Sequence, residues 1–166
     1  GGKGIGYSYS DSEWESLISS ILSINETNKI PISIVTSRRT DPSIEKKLKN
    51  KLSKINIGYS AWFHSGDKNF NLAALFGSAI KIFVTEDSAM MISESISSGK
   101  PVSTLYPSKN NSPTRYRTHI QKYEDLKYIT RQSIGSFSAD FLSDAELRIK
   151  NQQKELQKII LEKVHW

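Results

Sequence analysis

Short β-branched runs alternate along this chain with segments of helical period, and that alternation limits the folds open to it more than any other feature. Residues 32–35 (Ile-Ser-Ile-Val) follow Pro31, and 55–62, 80–84 and 101–106 repeat the pattern. Runs this short suit buried strands. The segments between them read as helices. In 10–24, Trp14, Leu17, Ile18, Ile21 and Leu22 recur at helical spacing, with Ser10 and Glu13 set as a capping box. Asp41-Pro42 opens the next helix, with Asp as cap and Pro in the first turn. A short helix is expected over 69–76, with Leu72, Leu75 and Phe76 inward. Another runs from Asp87 or Ser88 to the Gly99-Lys100-Pro101 stop, and one over 113–123 precedes a long charged helix over 143–164. Strands alternating with helices predict an α/β fold: a Rossmann-like, doubly wound parallel sheet. Its lobe is expected over 1–140 and a C-terminal helix over 141–166. The stretch 108–113 reads as a mobile loop. A doubly wound domain also calls for a strand leading into Gly1-Gly2.

Composition narrows the chemistry. There is no cysteine, so disulfides, thiolate zinc sites and cysteine nucleophiles are excluded, and His64, His119 and His165 lack metal-ligand spacing. No apolar stretch approaches the ~20 residues of a membrane span. The opening Gly1-Gly2-Lys3-Gly4, without Met or a signal peptide, reads as a fragment; a cytoplasmic setting is expected, with a membrane surface as a peripheral contact. The net charge is +6, and seven basic residues fall between Arg38 and Lys54. They read as a solvated helix face, with Lys46, Lys47, Lys49 and Lys51 exposed. Aromatic residues are not interleaved with them, so nucleic acid is not the expected partner.

Three segments sit where a ligand would bind, at helix starts or strand ends. Gly1, Gly2, Gly4 and Gly6 would let backbone N–H groups approach a phosphate, although the spacing is neither a P-loop nor the dinucleotide fingerprint. A flexible turn explains the same glycines. Thr36-Ser37-Arg38-Arg39-Thr40 follows the first strand. Arg38 or Arg39 could clamp a diphosphate there, with Ser37 or Thr40 donating to it, and because adjacent arginines face opposite ways at most one of the two is the contact. Residues 85–94, Thr-Glu-Asp-Ser-Ala-Met-Met-Ile-Ser-Glu, follow the clearest strand and open a helix whose first N–H groups form an anion site. Ordinary capping by Asp87 or Ser88, and a solvent-facing Glu94, are the plainer readings.

These motifs, with Ser98-Gly99-Lys100-Pro101-Val102, resemble the mitochondrial fission protein family of bacteria and plants over roughly residues 1–119. Gly1-Gly2 and Arg115-Tyr116-Arg117-Thr118-His119 fit more loosely. The resemblance implies a GT-B glycosyltransferase-like protein of two lobes, of which this would be the C-terminal, nucleotide-sugar-binding one, with the N-terminal lobe absent. Residues 85–101 are also similar to the donor helix of the lipid-linked N-acetylglucosaminyltransferase of cell-wall synthesis. That likeness places Ser88 and Ala89 on the donor diphosphate and Glu94 on the ribose; Gly2 and Arg38 complete the expected cofactor-type site. Ser88 stands where the family pattern has glycine. The resemblance implies catalysis without a bound metal and an acceptor site mostly in the other lobe, so the fragment is expected to bind without turnover; it names no catalytic residue. The alternative is a non-catalytic interaction module of the same fold.

Overall fold

The computed structural model describes residues 2–67 and 70–137. The predicted helix over 143–164 and the predicted helix start at Asn69 lie outside them. The chain opens with a two-stranded antiparallel hairpin, β1 (Lys3–Gly4) and β2 (Tyr7–Ser8). Ile5 and Gly6 turn it at φ 51° and 80°, the left-handed pair that a tight hairpin turn requires.

The next helix, α1 (Asp11–Asn28), starts where the capping box placed it. The Ser10 N–H donates to Glu13 Oε2 at 2.7 Å, and the Glu13 N–H donates to Ser10 Oγ at 3.3 Å. Trp14, Leu17 and Ile18 face inward from α1; full burial of such side chains is worth roughly 1.5–3 kcal/mol each. Then follow β3 (Ile32–Val35), α2 (Pro42–Leu52), capped by Asp41, and β4 (Ile57–Ala61). A single 3-10 turn, Phe63–Ser65, precedes α3 (Leu72–Ser78). Here the sequence reading needs amending, because Asn71 caps α3 and Leu72, Leu75 and Phe76 are only half-buried. Seven residues make too short a helix to shield a whole face.

The chain continues through β5 (Ile82–Thr85), α4 (Ala89–Ser97), β6 (Val102–Tyr106), α5 (Thr114–Asp125) and β7 (Thr130–Ser133). Gly99 adopts φ 69° after α4, as a helix stop does. β7 escaped the sequence reading, because Thr-Arg-Gln-Ser has no apolar run to announce it.

All four predicted strands are present and parallel, in a Rossmann-like α/β arrangement. They form two hydrogen-bonded ladders rather than one: β3 with β4, and β5 with β6 and β7. A core nevertheless runs between the ladders, joining Trp14, Leu48, Leu52 and Trp62 to Leu105 and Ile134. A second cluster, including Ile82, Val84, Ile92 and Ile120, packs α4 and α5 on the other ladder.

On α2, Lys46, Lys49 and Lys51 are exposed. Lys47 is half-buried and pairs with Glu15 at 3.1 Å. No described helix is long and apolar enough to cross a membrane. The loop over 108–113 is tied down rather than loose. Asn110 bridges to Tyr7, and the Asn111 N–H donates to the Gly6 carbonyl at 3.0 Å.

Candidate functional site

The candidate site forms where the carboxyl ends of β3 and β5 meet the opening hairpin. Beyond β5 come Glu86, Asp87 and Ser88, and then α4. Ser88 is the N-cap but makes no side-chain capping bond. The first helical bond runs from the Ile92 N–H to the Ser88 carbonyl at 3.1 Å. The N–H groups of Ala89, Met90 and Met91 precede it and have no helical acceptor. With the helix dipole they make a partially positive, hydrogen-bond-donating surface.

Glu86 is fully buried and organises everything around it. Its carboxylate accepts from Arg131 Nε at 2.7 Å and Arg131 Nη2 at 3.0 Å. It also accepts from Thr104 Oγ1 at 2.7 Å and the Tyr7 hydroxyl at 3.0 Å. Its main chain is held as firmly. The N–H donates to the Tyr9 hydroxyl at 3.0 Å, and the carbonyl accepts from the Tyr116 hydroxyl at 2.6 Å. One residue thus ties the hairpin, β6, β7 and α5 to the start of α4. The Glu86 carboxylate raises the Arg131 pKa further. Burial, followed by the nearby carboxylate charges, pushes the Tyr9 hydroxyl well above its ordinary range. The Tyr116 hydroxyl is raised too, by burial first and then by Tyr7, Asp87 and Glu86. Both phenols stay neutral near pH 7 and serve as donors.

Asp87 is also fully buried, but neither carboxylate oxygen has a hydrogen-bond partner. Its nearest cation is Arg39, with Nη1 at 3.9 Å from Oδ2. The same Arg39 atom donates to the Asp87 carbonyl at 2.6 Å and so connects the end of β3 to the end of β5. The glycines make this approach possible. A Cβ on Gly4 would lie 2.8 Å from the Asp87 carbonyl oxygen and 3.1 Å from Arg39 Nη1. One on Gly2 would lie 2.9 Å from the Arg39 carbonyl oxygen. Beside them is a cavity of about 130 Å³, lined among others by Gly2, Lys3, Trp14, Arg39 and Asp41.

The expected site residues are placed as follows. Gly2 is buried against Arg39 and Trp14. Ser88 and Ala89 form the half-buried start of α4, and Glu94 is exposed farther along that helix. Of the two arginines, Arg39 turns in toward Asp87, while Arg38 is exposed. The hairpin glycines, Arg39 and the start of α4 therefore come together, whereas Arg38 and Glu94 lie at the surface. Glu86, Tyr7, Tyr9 and Arg131 are not among the expected site residues, and Asp87 was expected only as a cap of α4, a bond its carboxylate does not make. Two adjacent carboxylates at a strand end, Glu86-Asp87, were the available signal. Arg131 gave none, since its partner lies 45 positions away.

An uncharacterized protein of Rickettsia prowazekii is 31% identical over 147 residues, covering 87% of this chain and 40% of the relative. The chain thus spans less than half the length of that relative. No solved structure matches. Residues 1–151 match the family described as Mitochondrial fission ELM1, and the chain belongs to that family.

Proposed function

We propose that this chain is the donor-binding lobe of a GT-B-like glycosyltransferase, taking the diphosphate of a nucleotide sugar at the start of α4. One observation carries the reading. The first-turn N–H groups of α4 open at the carboxyl end of β5, uncapped by Ser88 and just past Asp87, whose carbonyl Gly4 and Arg39 approach. In open parallel α/β sheets, ligands bind at this edge where the strand order changes direction. In the reaction, an acceptor oxygen bonds to the sugar's anomeric carbon as the bond from that carbon to the diphosphate breaks. Negative charge grows on the departing diphosphate, and fixed N–H dipoles stabilise it without reorganising. Arginine adds positive charge, and Glu94 accepts the ribose hydroxyls. The acceptor site and the group that takes the acceptor's proton lie mostly in the other lobe of the full-length protein.

Calorimetry of the full-length protein with a panel of nucleoside diphosphates and nucleotide sugars tests this. Glu94→Ala removes a carboxylate that would accept two hydroxyls, at a cost of about 1.5–3 kcal/mol, or roughly ten- to hundredfold in affinity. Its melting temperature stays near the parent's, because Glu94 is exposed. Arg38→Ala and Arg39→Ala weaken binding more at low salt than at high salt. Nucleotide binding that none of these variants alters would overturn the assignment. The second reading, a non-catalytic interaction module, is favoured by Met90, an apolar side chain 71% exposed in the first turn of α4. Failure of the full-length protein to bind any nucleotide, with Met90→Asp abolishing capture of a protein partner, would favour it.

A further inference from the structure

The two parallel ladders share a core yet exchange no strand pairing, so β3 and β5 each keep one edge without a strand partner among the described residues, and Arg39 joins their carboxyl ends through the Asp87 carbonyl; the space between these two edges is termed the slot. Backbone alternation identifies what lines it. On β3, the N–H groups of Ile32 and Thr36 point to β4, donating to Asn56 and Ala61, so those of Ser33 and Val35 point the other way. On β5, Ile82 and Glu86 donate toward β6, to Pro101 and Leu105, so Phe83 and Thr85 point away. Four N–H groups and their carbonyls thus face the slot. Parallel strands are normally covered on both faces and paired on both edges. Here no residue of β3 is fully buried, and Phe83 of β5 is 37% exposed.

We infer that one parallel strand fits between β3 and β5, supplied by polypeptide joined to the amino side of Gly2 in the full-length protein. Three observations select this occupant. Gly2 and Gly4 lie against the residues following β3 and β5 respectively, at the carboxyl end of the slot. A strand ending there would continue through the hairpin and α1 into β3, which is the connection that sets parallel strands side by side. The resulting order, β4, β3, the inserted strand, β5, β6, β7, is the doubly wound order 3-2-1-4-5-6 counted from the inserted strand. The third observation is Asp87, a buried carboxylate lacking hydrogen-bond partners at the same end of the slot. Main-chain N–H groups at the end of the inserted strand supply the missing donors, since a buried carboxylate without donors is costly.

Amide hydrogen exchange tests the inference, comparing the full-length protein with residues 1–166 at the same dilute concentration. The amides of Ser33, Val35, Phe83 and Thr85 exchange at least about a hundredfold more slowly in the full-length protein, because the strand's hydrogen bonds must open first. Equal rates in the two proteins would overturn the inference. So would protection of these amides in residues 1–166 that rises with concentration, because a second copy would then occupy the slot. So would protection in the full-length protein that appears only when a nucleotide is added. Asp87→Ala adds an independent readout. It lowers the melting temperature of the full-length protein, where the strand's donors are lost, by more than that of residues 1–166, where only the Arg39 guanidinium at 3.9 Å faces the carboxylate among the described residues. Asp87→Asn gives a smaller effect of the same pattern. Equal loss in both proteins contradicts the assignment of Asp87 to the strand.

Discussion

Replacing Glu86 with alanine removes four hydrogen bonds in one step. They come from Arg131 Nε and Nη2, Thr104 Oγ1 and the Tyr7 hydroxyl, all between 2.7 and 3.0 Å. The carboxylate is completely buried, while the Arg131 side chain is 23% exposed and keeps Glu124 at 3.8 Å. Breaking a buried ion pair by deleting one partner typically costs 3–5 kcal/mol. Arg131 retains some water and a second carboxylate, so the lower end, about 3 kcal/mol, applies. At roughly 2–4 °C per kcal/mol for a domain of this size, the melting temperature falls by about 6–12 °C. Urea unfolding followed by the fluorescence of Trp14 and Trp62 measures the loss directly. Glu86→Gln keeps one acceptor but turns an amide donor toward a guanidinium donor, so it falls between alanine and the parent. Glu86→Leu combined with Arg131→Met recovers most of the stability, because neither charge is then stranded. A loss below about 1 kcal/mol for Glu86→Ala, or a double variant no better than that single one, would refute the reasoning.

Glu45 predicts a pH dependence. Burial raises its pKa, but the Thr36 hydroxyl and the N–H groups of His64 and Ser65 outweigh that and leave it below the ordinary value. A lowered folded-state pKa stabilises the fold above the unfolded carboxylate's range and ceases to as pH falls through the folded value. The difference in melting temperature between the parent and Glu45→Gln is therefore full near pH 7 and shrinks below about pH 4; a pH series of thermal melts checks it. Gly6→Ala puts a Cβ onto the Asn111 carbonyl at a φ of 80° and destabilises the hairpin by at least about 1–3 kcal/mol, read by chemical denaturation. Lys46→Ala and Lys51→Ala on the exposed face of α2 change stability by less than about 0.5 kcal/mol in the same assay.

The sequence by itself determined the elements that depend on near neighbours. The capping box of Ser10 and Glu13, the Asp41-Pro42 start and the Gly99-Lys100-Pro101 stop are local chemistry, and each falls where it was read. The β-branched runs fixed four strands and their parallel sense, since a helix between successive strands leaves little other choice. Tertiary structure alone decided the rest. β7 is polar and becomes a strand by pairing with β6. Arg39 rather than Arg38 turns inward because the Asp87 carbonyl, 48 positions away, offers it an acceptor. Glu86 is an ordinary carboxylate in the sequence; its place at the centre of the site depends on partners from residue 7 to residue 131 meeting in space. Helix caps and strand runs are settled within a few residues. A buried ionic network is settled only when distant segments exclude water from the same point, and no local pattern carries that information.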